Sequence, residues 1–358
     1  MGVNTLLATA ATRSAHVLVV EAPGWWMTRA AVERQVLARG WCLARSPADA
    51  DVLAVCGPPG PELVLVAARL WDQLPGPRCR VDIRSPDVVS AALEAATVDL
   101  CDQARQRNDS RDRPGGGPGG TQHGGVGHGH MDMAPDGVPL AGGEPDRDGL
   151  ELDVLHVRLG PVLPYWPAGL VLRCSLHGDL LAEVAASVVD ATVRPPAAGD
   201  ERPRRFAARR CDNASSLLAL AGWEDAACHA RRLRDALLGD DGGDPADPVV
   251  ELGRFRRRIR RSWLLRWSLR RLGQLTAGEL TRRQLPAHLR GDARDRLLTM
   301  LDRAGAVLAG AGRPDAGPAI PLPAIADLVR GWDIATARLI VASLDLEPPT
   351  ADRTPSHA

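Results

Sequence analysis

The sequence predicts two folded domains: an α/β N-terminal domain built on a flavodoxin-like parallel sheet, and a mostly helical α+β C-terminal domain that includes an antiparallel β-meander. Three observations predict this. Short β-branched apolar runs alternate with helix-period stretches along the first part of the chain, the pattern of βαβ units. A tract dense in Gly and Pro follows. Beyond it the apolar period is first that of strands and then that of helices.

In the N-terminal domain, assigned to residues 1–104, His16 to Val20 (HVLVV) and Val52 to Cys56 (VLAVC) read as strands, each followed by a turn signal. Thr28 to Arg39 supplies the first crossover helix. Pro61 to Leu74 supplies the second, with Pro61 suited to an early helical position and Leu63, Val66, Ala67 and Leu70 on one face. A strand at Cys79 to Ile83 and a helix from Pro86 to about Leu100 complete the domain.

Residues 105–148 change character. The stretch RPGGGPGGTQHGGVGHGHMDMAPDG is nearly free of large apolar groups, so burial cannot offset the entropy of ordering it, and it reads as a flexible linker. In the C-terminal domain, residues 149–353, Leu152 to Leu159 and Leu170 to Leu176 alternate apolar and polar residues, and His177-Gly178-Asp179 turns the chain into Leu180 to Val189. Helical periodicity then covers Asn213 to Leu238, Val250 to Leu272, Ala277 to Arg283, Ala293 to Ala309 and Leu322 to Leu344.

Composition limits function. With 358 residues, 45% apolar and 25% charged, the chain reads as soluble and globular. It has no apolar run of the roughly 18–20 residues that a membrane span requires. Met1 to Arg13 lack the basic start and apolar stretch of a secretory signal, which points to the cytoplasm. All 44 basic residues are arginine, and 44 acidic residues balance them, so no global field draws the chain to nucleic acid or an anionic membrane. Cys42, Cys56, Cys79, Cys101, Cys174, Cys211 and Cys228 form no C-x-x-C pair. That spacing argues against a disulfide framework and a zinc knuckle and favours buried thiols.

Several short segments resemble known redox subunits. Ala50 to Gly57 (ADVLAVCG) and Ala67 to Pro77 (AARLWDQLPGP) resemble the flavodoxin-like B subunit of complex I and the related hydrogenase small subunit. Leu159 to Asp179 (LGPVLPYWPAGLVLRCSLHGD), Gly291 to Arg296 (GDARDR) and Trp332 to Arg353 (WDIATARLIVASLDLEPPTADR) resemble, in order, the opening hairpin, a helix start and the C-terminal helix of the complex I D subunit and the nickel-iron hydrogenase large subunit. The tract between Trp263 and Gly291 is shorter than that family requires, which implies a deletion.

The departures fall on the chemistry that the resemblance implies. The first loop, Glu21-Ala22-Pro23-Gly24-Trp25-Trp26, has no thiolate for an iron-sulfur cluster, and Cys42, Cys56, Cys79 and Cys101 stand at the wrong places for one. Where hydrogenases carry R-x-C-x-x-C for nickel, this chain has Arg209-Arg210-Cys211-Asp212-Asn213-Ala214. Where D-P-C-x-x-C follows, it has Asp345-Leu346-Glu347-Pro348-Pro349. Val162 and Leu163 occupy the place of the quinone-pocket histidine. Tyr165 and Trp166 either flank a remnant of that pocket or pack against the meander.

Three further features have competing readings. His123, His128 and His130, with Met131 and Met133, are candidate ligands for a weakly held divalent metal on the linker, or simply low-complexity residues. Arg254 to Arg271 (RFRRRIRRSWLLRWSLRR) reads as a basic amphipathic helix with Phe255, Ile259, Trp263 and Trp267 on one stripe. It is either a core helix with snorkelling arginines or a contact for a partner subunit or membrane, with nucleic acid ranked below these because no reading motif and few stacking aromatics accompany the charge. Gly57-Pro58-Pro59-Gly60 lacks the spacing and the lysine of a nucleotide loop.

Together these readings predict a non-catalytic structural or accessory subunit of a complex I-like or membrane-bound hydrogenase-like oxidoreductase assembly. Its expected partners are protein subunits of such a complex, with peripheral membrane association through them and no nucleic acid. No catalytic or cofactor-binding residues are assigned. The alternative is a metal-handling assembly factor that uses the His/Met-rich linker.

Overall fold

The computed structural model describes residues 14–113, 142–145, 151–190, 202–239, 247–314 and 318–347. The chain divides into two compact units, with the boundary between Leu140 and Ala141.

The first unit is the expected α/β domain. Strands β1 (His16–Glu21), β2 (Cys42–Leu43), β3 (Val52–Cys56) and β4 (Cys79–Ile83) form a wholly parallel sheet in the order β2-β1-β3-β4. That order matches the first four strands of a flavodoxin-like sheet. All five residues of β3 are buried, which explains why its sequence is one unbroken apolar run: a central parallel strand is covered on both faces. The crossover helices are α1 (Trp26–Ala38) and α2 (Pro61–Gln73), and α3 (Val89–Cys101) follows the last strand. Val32 and Val36 of α1 and Leu93 and Ala96 of α3 pack with Val17, Val52, Ala54 and Ile83 of the sheet. The edge strand β2 is two residues long and carries no periodicity that a sequence reading could detect.

One boundary moves. The linker expected from Arg105 onward begins with a helix, α4 (Gln103–Asp112), built almost wholly from polar residues. Asp102 caps it by accepting from the backbone N–H groups of Ala104 and Arg105. Its side chains then tie it down: Gln106 Nε2 donates to the carbonyls of Arg78 and Asp99, and Asp109 pairs with Arg78 at 3.0 Å. Polar anchoring takes the place of an apolar face.

The second unit opens with β5 (Gly142–Pro145), β6 (Glu151–Leu159), β7 (Leu170–His177) and β8 (Leu180–Val188), an antiparallel meander in sequence order with a bulge at Ser175/Leu176. β5 falls inside the tract assigned to the linker, so the fold of this unit starts earlier than expected. Helices follow: α5 (Pro203–Leu220), α6 (Glu224–Leu238), α7 (Pro248–Arg261), α8 (Trp263–Ser268), α9 (Ala277–Arg282), α10 (Ala293–Leu308), α11 (Leu322–Val329) and α12 (Ile334–Ser343). The meander packs on the later helices through Leu172, Leu176, Leu181, Ile325, Val329, Ile340 and Leu344. Among the described residues no helix is long and apolar enough to cross a membrane.

Three helices expected as continuous are broken, each for a local reason. Gly222, at φ +79°, separates α5 from α6, and Ser262 caps a fresh start at α8. Gly331, also at φ +79°, separates α11 from α12, where Asp333 caps the new helix. There the chain pairs with the edge of the meander: Gly331 N–H donates to the Leu181 carbonyl at 2.8 Å and Leu181 N–H donates to that of Trp332 at 3.0 Å. A continuous helix would forfeit both bonds.

The segment between α8 and α10 closes on itself, since Leu275 and Gly291 exchange two backbone hydrogen bonds of 2.9 Å. Arg296 of α10 fixes this loop from within. Its Nη1 donates to the carbonyls of Gly273 at 2.7 Å and Gly291 at 2.9 Å, and its Nε donates to Ser343 Oγ of α12 at 2.9 Å. Burial pulls its pKa down to about 10, so the guanidinium remains charged at neutral pH with carbonyl oxygens as its acceptors. An Arg296→Met substitution strands these buried acceptors, and denaturant unfolding of the full chain is expected to show a loss of roughly 2–4 kcal/mol.

Candidate functional site

Two places in the fold are candidates: the carboxyl end of the parallel sheet in the first unit, and a buried polar cluster around α5 in the second. In open α/β sheets ligands bind outside the carboxyl ends of the strands where the strand order reverses, here between β1 and β3. Gly57 follows β3 at φ +86°, and a Cβ there would collide with the Trp25 ring, so the buried indole lies directly against the glycine backbone. At the same end Arg29 of α1 is paired with Glu21, the last residue of β1, and with Glu33. Trp25 and the Arg29 ion pairs thus occupy part of this end of the sheet.

The thiols of the first unit are spread by the sheet register. Cys79 pairs with Val52 at the start of β3 and Cys56 with Ile83 at its end, so the two stand about 13 Å apart along the strands. Cys42 lies beside His16 on the far edge strand β2, three strand spacings or roughly 14 Å from β4. These positions cannot share one cluster. Burial raises the Cys79 and Cys211 thiols to about 12 and Cys174 to about 11, and it pushes Cys56 up as well. Protonated thiols of this kind are poor nucleophiles and poor metal ligands.

The cluster in the second unit is built from the sequence Phe206-Ala207-Ala208-Arg209-Arg210-Cys211-Asp212-Asn213 on α5, a helix buried along most of its length. Residues three and four apart share a face, so Phe206, Arg210 and Asn213 point together, as do Arg209 and Asp212. The Arg210 guanidinium stacks 3.8 Å from the Phe206 ring centre. Beyond α12, Asp345 takes a left-handed conformation, φ +51°, and its carboxylate meets this face. Asp345 Oδ1 accepts from Asn213 Nδ2 at 2.7 Å; Oδ2 accepts from Arg210 Nε at 3.2 Å and from Arg303 Nη1 of α10 at 2.9 Å.

Neighbouring groups complete the charge balance. Glu347 Oε1 stands 2.6 Å from Arg210 Nη2, a close charge contact without hydrogen-bond alignment. Arg209 donates to the Leu346 carbonyl at 3.2 Å and to Asp212 Oδ2 at 3.0 Å. Asp212 Oδ1 accepts from Arg234 Nη1 of α6 at 2.8 Å, and Arg234 Nε reaches Asp235 at 2.9 Å. Four guanidinium groups (Arg209, Arg210, Arg234, Arg303) therefore face four carboxylates (Asp212, Asp235, Asp345, Glu347). Both oxygens of Asp212 and of Asp345 are engaged by donors, so the arrangement cross-links α5, α6, α10 and the segment after α12. Among the described residues no group of three or more His, Cys, Asp or Glu side chains gathers where an ion could bind.

The candidate ligands His123, His128 and His130 lie outside the described residues. Trp166 packs against the core, and its Nε1 donates to the Leu170 carbonyl at 2.8 Å. Arg338 of α12 holds the same loop by donating to the Pro164 carbonyl at 2.7 Å. Sequence reasoning singled out the segments 209–214 and 345–349 but not their mutual contact. It also missed Arg234 and Arg303, which sit in ordinary helix-period runs with no local signal. No protein-family model matches the chain, and no curated protein matches it.

An Asp345→Asn substitution leaves Arg210 buried without its full countercharge and is expected to cost about 3–5 kcal/mol in chemical denaturation. Adding Arg210→Met to Asp345→Asn should recover part of that loss, because the fully buried cation is then removed while Asn keeps the left-handed backbone and the Asn213 contact. Thiol labelling of the native protein, mapped by mass spectrometry, is expected to modify exposed Cys42 first. Cys56, Cys79, Cys174 and Cys211 should react only after unfolding.

Proposed function

We propose that this chain is a non-catalytic structural or accessory subunit of a complex I-like or membrane-bound hydrogenase-like oxidoreductase assembly, working at the cytoplasmic face of the membrane through protein partners. The observation that carries this reading is the meeting of Arg210 and Asn213 with Asp345. In the proteins that the sequence resembles, the R-x-C-x-x-C and D-P-C-x-x-C motifs jointly hold nickel. Here the two corresponding segments lie in contact, but only one thiol stands at the thiolate positions: Cys211, which burial keeps protonated, while Ala214 and Glu347 take others. The covered end of the parallel sheet supports the same reading, since Trp25 occupies the position at which such sheets take a ligand. In this role both units act as docking bodies, and electrons travel through neighbouring subunits.

The test is isolation of the affinity-tagged chain from its own cells after mild detergent solubilisation. Co-isolation of intact B- or D-type redox subunits, or of antiporter-like membrane subunits, is the expected result. Recovery of the chain without any of them would overturn the assignment. A stoichiometric nickel site, lost when His123, His128 and His130 are replaced together, would assign it instead to metal handling.

A further inference from the structure

The expected stripe of Phe255, Ile259, Trp263 and Trp267 does not exist as one face, because the helix breaks at Ser262. Phe255 and Ile259 of α7 are fully buried, whereas Trp263 and Trp267 of α8 are 76% and 72% exposed and Leu264 beside them is 59% exposed. Helix geometry explains the split. At about 100° per residue, Trp263, Leu264 and Trp267 share one arc of α8, and Leu265 and Leu269 fall on the opposite side. The latter two are buried, so the core is already satisfied on the inner side of α8. The outer apolar arc is left facing solvent.

Charge surrounds this arc. From Leu252 to Gly278 the chain has no acidic residue and nine arginines. Three of these, Arg254, Arg256 and Arg258 on α7, pair with Glu251, Asp302 and Asp225. Arg260, Arg261, Arg266, Arg270 and Arg271 are exposed and pair with no carboxylate among the described residues. They stand before, within and after the Trp/Leu arc.

We propose that α8 and its flanking arginines dock this protein directly on an anionic lipid surface. Trp263, Leu264 and Trp267 enter the headgroup boundary, and the five arginines meet lipid phosphates. Indole rings favour that boundary because they join an apolar body to one polar N–H, and each unpaired cation adds attraction to an anionic leaflet. Leu264 separates this surface from a nucleic-acid platform, since an aliphatic side chain neither stacks on bases nor binds phosphate. The contact goes beyond the subunit role proposed above and needs no partner protein, so either claim can fail without the other.

The experiment is co-sedimentation of the purified full-length chain with vesicles of phosphatidylcholine alone and of phosphatidylcholine mixed with phosphatidylglycerol. The expected result is binding to the mixed vesicles that weakens with salt, and binding to the neutral ones that is weaker by about tenfold or more. The pair Trp263→Ala/Trp267→Ala and the triple Arg266→Gln/Arg270→Gln/Arg271→Gln should each lower binding to mixed vesicles by about tenfold. Both variants should keep the wild-type circular dichroism and unfolding midpoint, because every altered side chain is exposed. No binding to the mixed vesicles, or binding unchanged in both variants, would overturn the proposal. So would capture of duplex DNA or polyglutamate through the same residues when vesicles are not bound.

Discussion

A guanidinium group withdrawn from water must be given acceptors, and the second unit is organised around three of them. Arg210, Arg234 and Arg296 are the largest of its fully buried side chains. Burying such a cation unpaired costs several kcal/mol, so the helices that surround each one are fixed by where its acceptors lie. Arg210 draws the segment after α12 onto α5, and Arg234 ties α6 to Asp212. Arg296 holds the loop before α10 against α12 through carbonyl and hydroxyl oxygens alone. The planar fork of arginine suits this work, since one side chain can reach several elements at set angles where a lysine would act as a single point of charge.

The first unit depends on a different constraint. Its sheet is covered by Val, Leu and Ala side chains, and a polar anchor, the attachment of α4 through Arg78, Gln106 and Asp109, adds its last helix. The close contact of Trp25 with Gly57 puts a buried indole at the end of the sheet where this fold commonly receives a ligand.

The strands β1 and β3 were legible because inner strands of a parallel sheet are nearly continuously apolar, as HVLVV and VLAVC are, and the edge strand β4 because CRVDI alternates buried Cys79, Val81 and Ile83 with Arg80 and Asp82. The meander was legible from its alternation and from the turn at Gly178. What escaped was decided at longer range. The breaks at Gly222, Ser262 and Gly331 occur within runs whose apolar period continues across them, and the break at Gly331 is fixed by β8, far away in sequence. The exposure of Trp263 and Trp267 depends on the break at Ser262, so a helical wheel drawn through the whole tract assigns them to the wrong face. The cluster around α5 was half visible: Arg209, Arg210 and Asp345 stood in segments already marked by resemblance, but pairing between groups so distant leaves no trace in spacing.

The separation of 135 positions between Arg210 and Asp345 also governs how the second unit is made. While a ribosome extends the chain, α5 emerges with Arg210 before its countercharge Asp345 has been synthesised, and burying that face without its partner is costly. Closure of this unit therefore comes late, after nearly every helix in it has been synthesised, and long-range closure of this kind is slow. A nascent polypeptide in that condition is a natural client for a holding chaperone, and a ribosome stalled before Asp345 would release a product marked for proteolysis by its unfilled core.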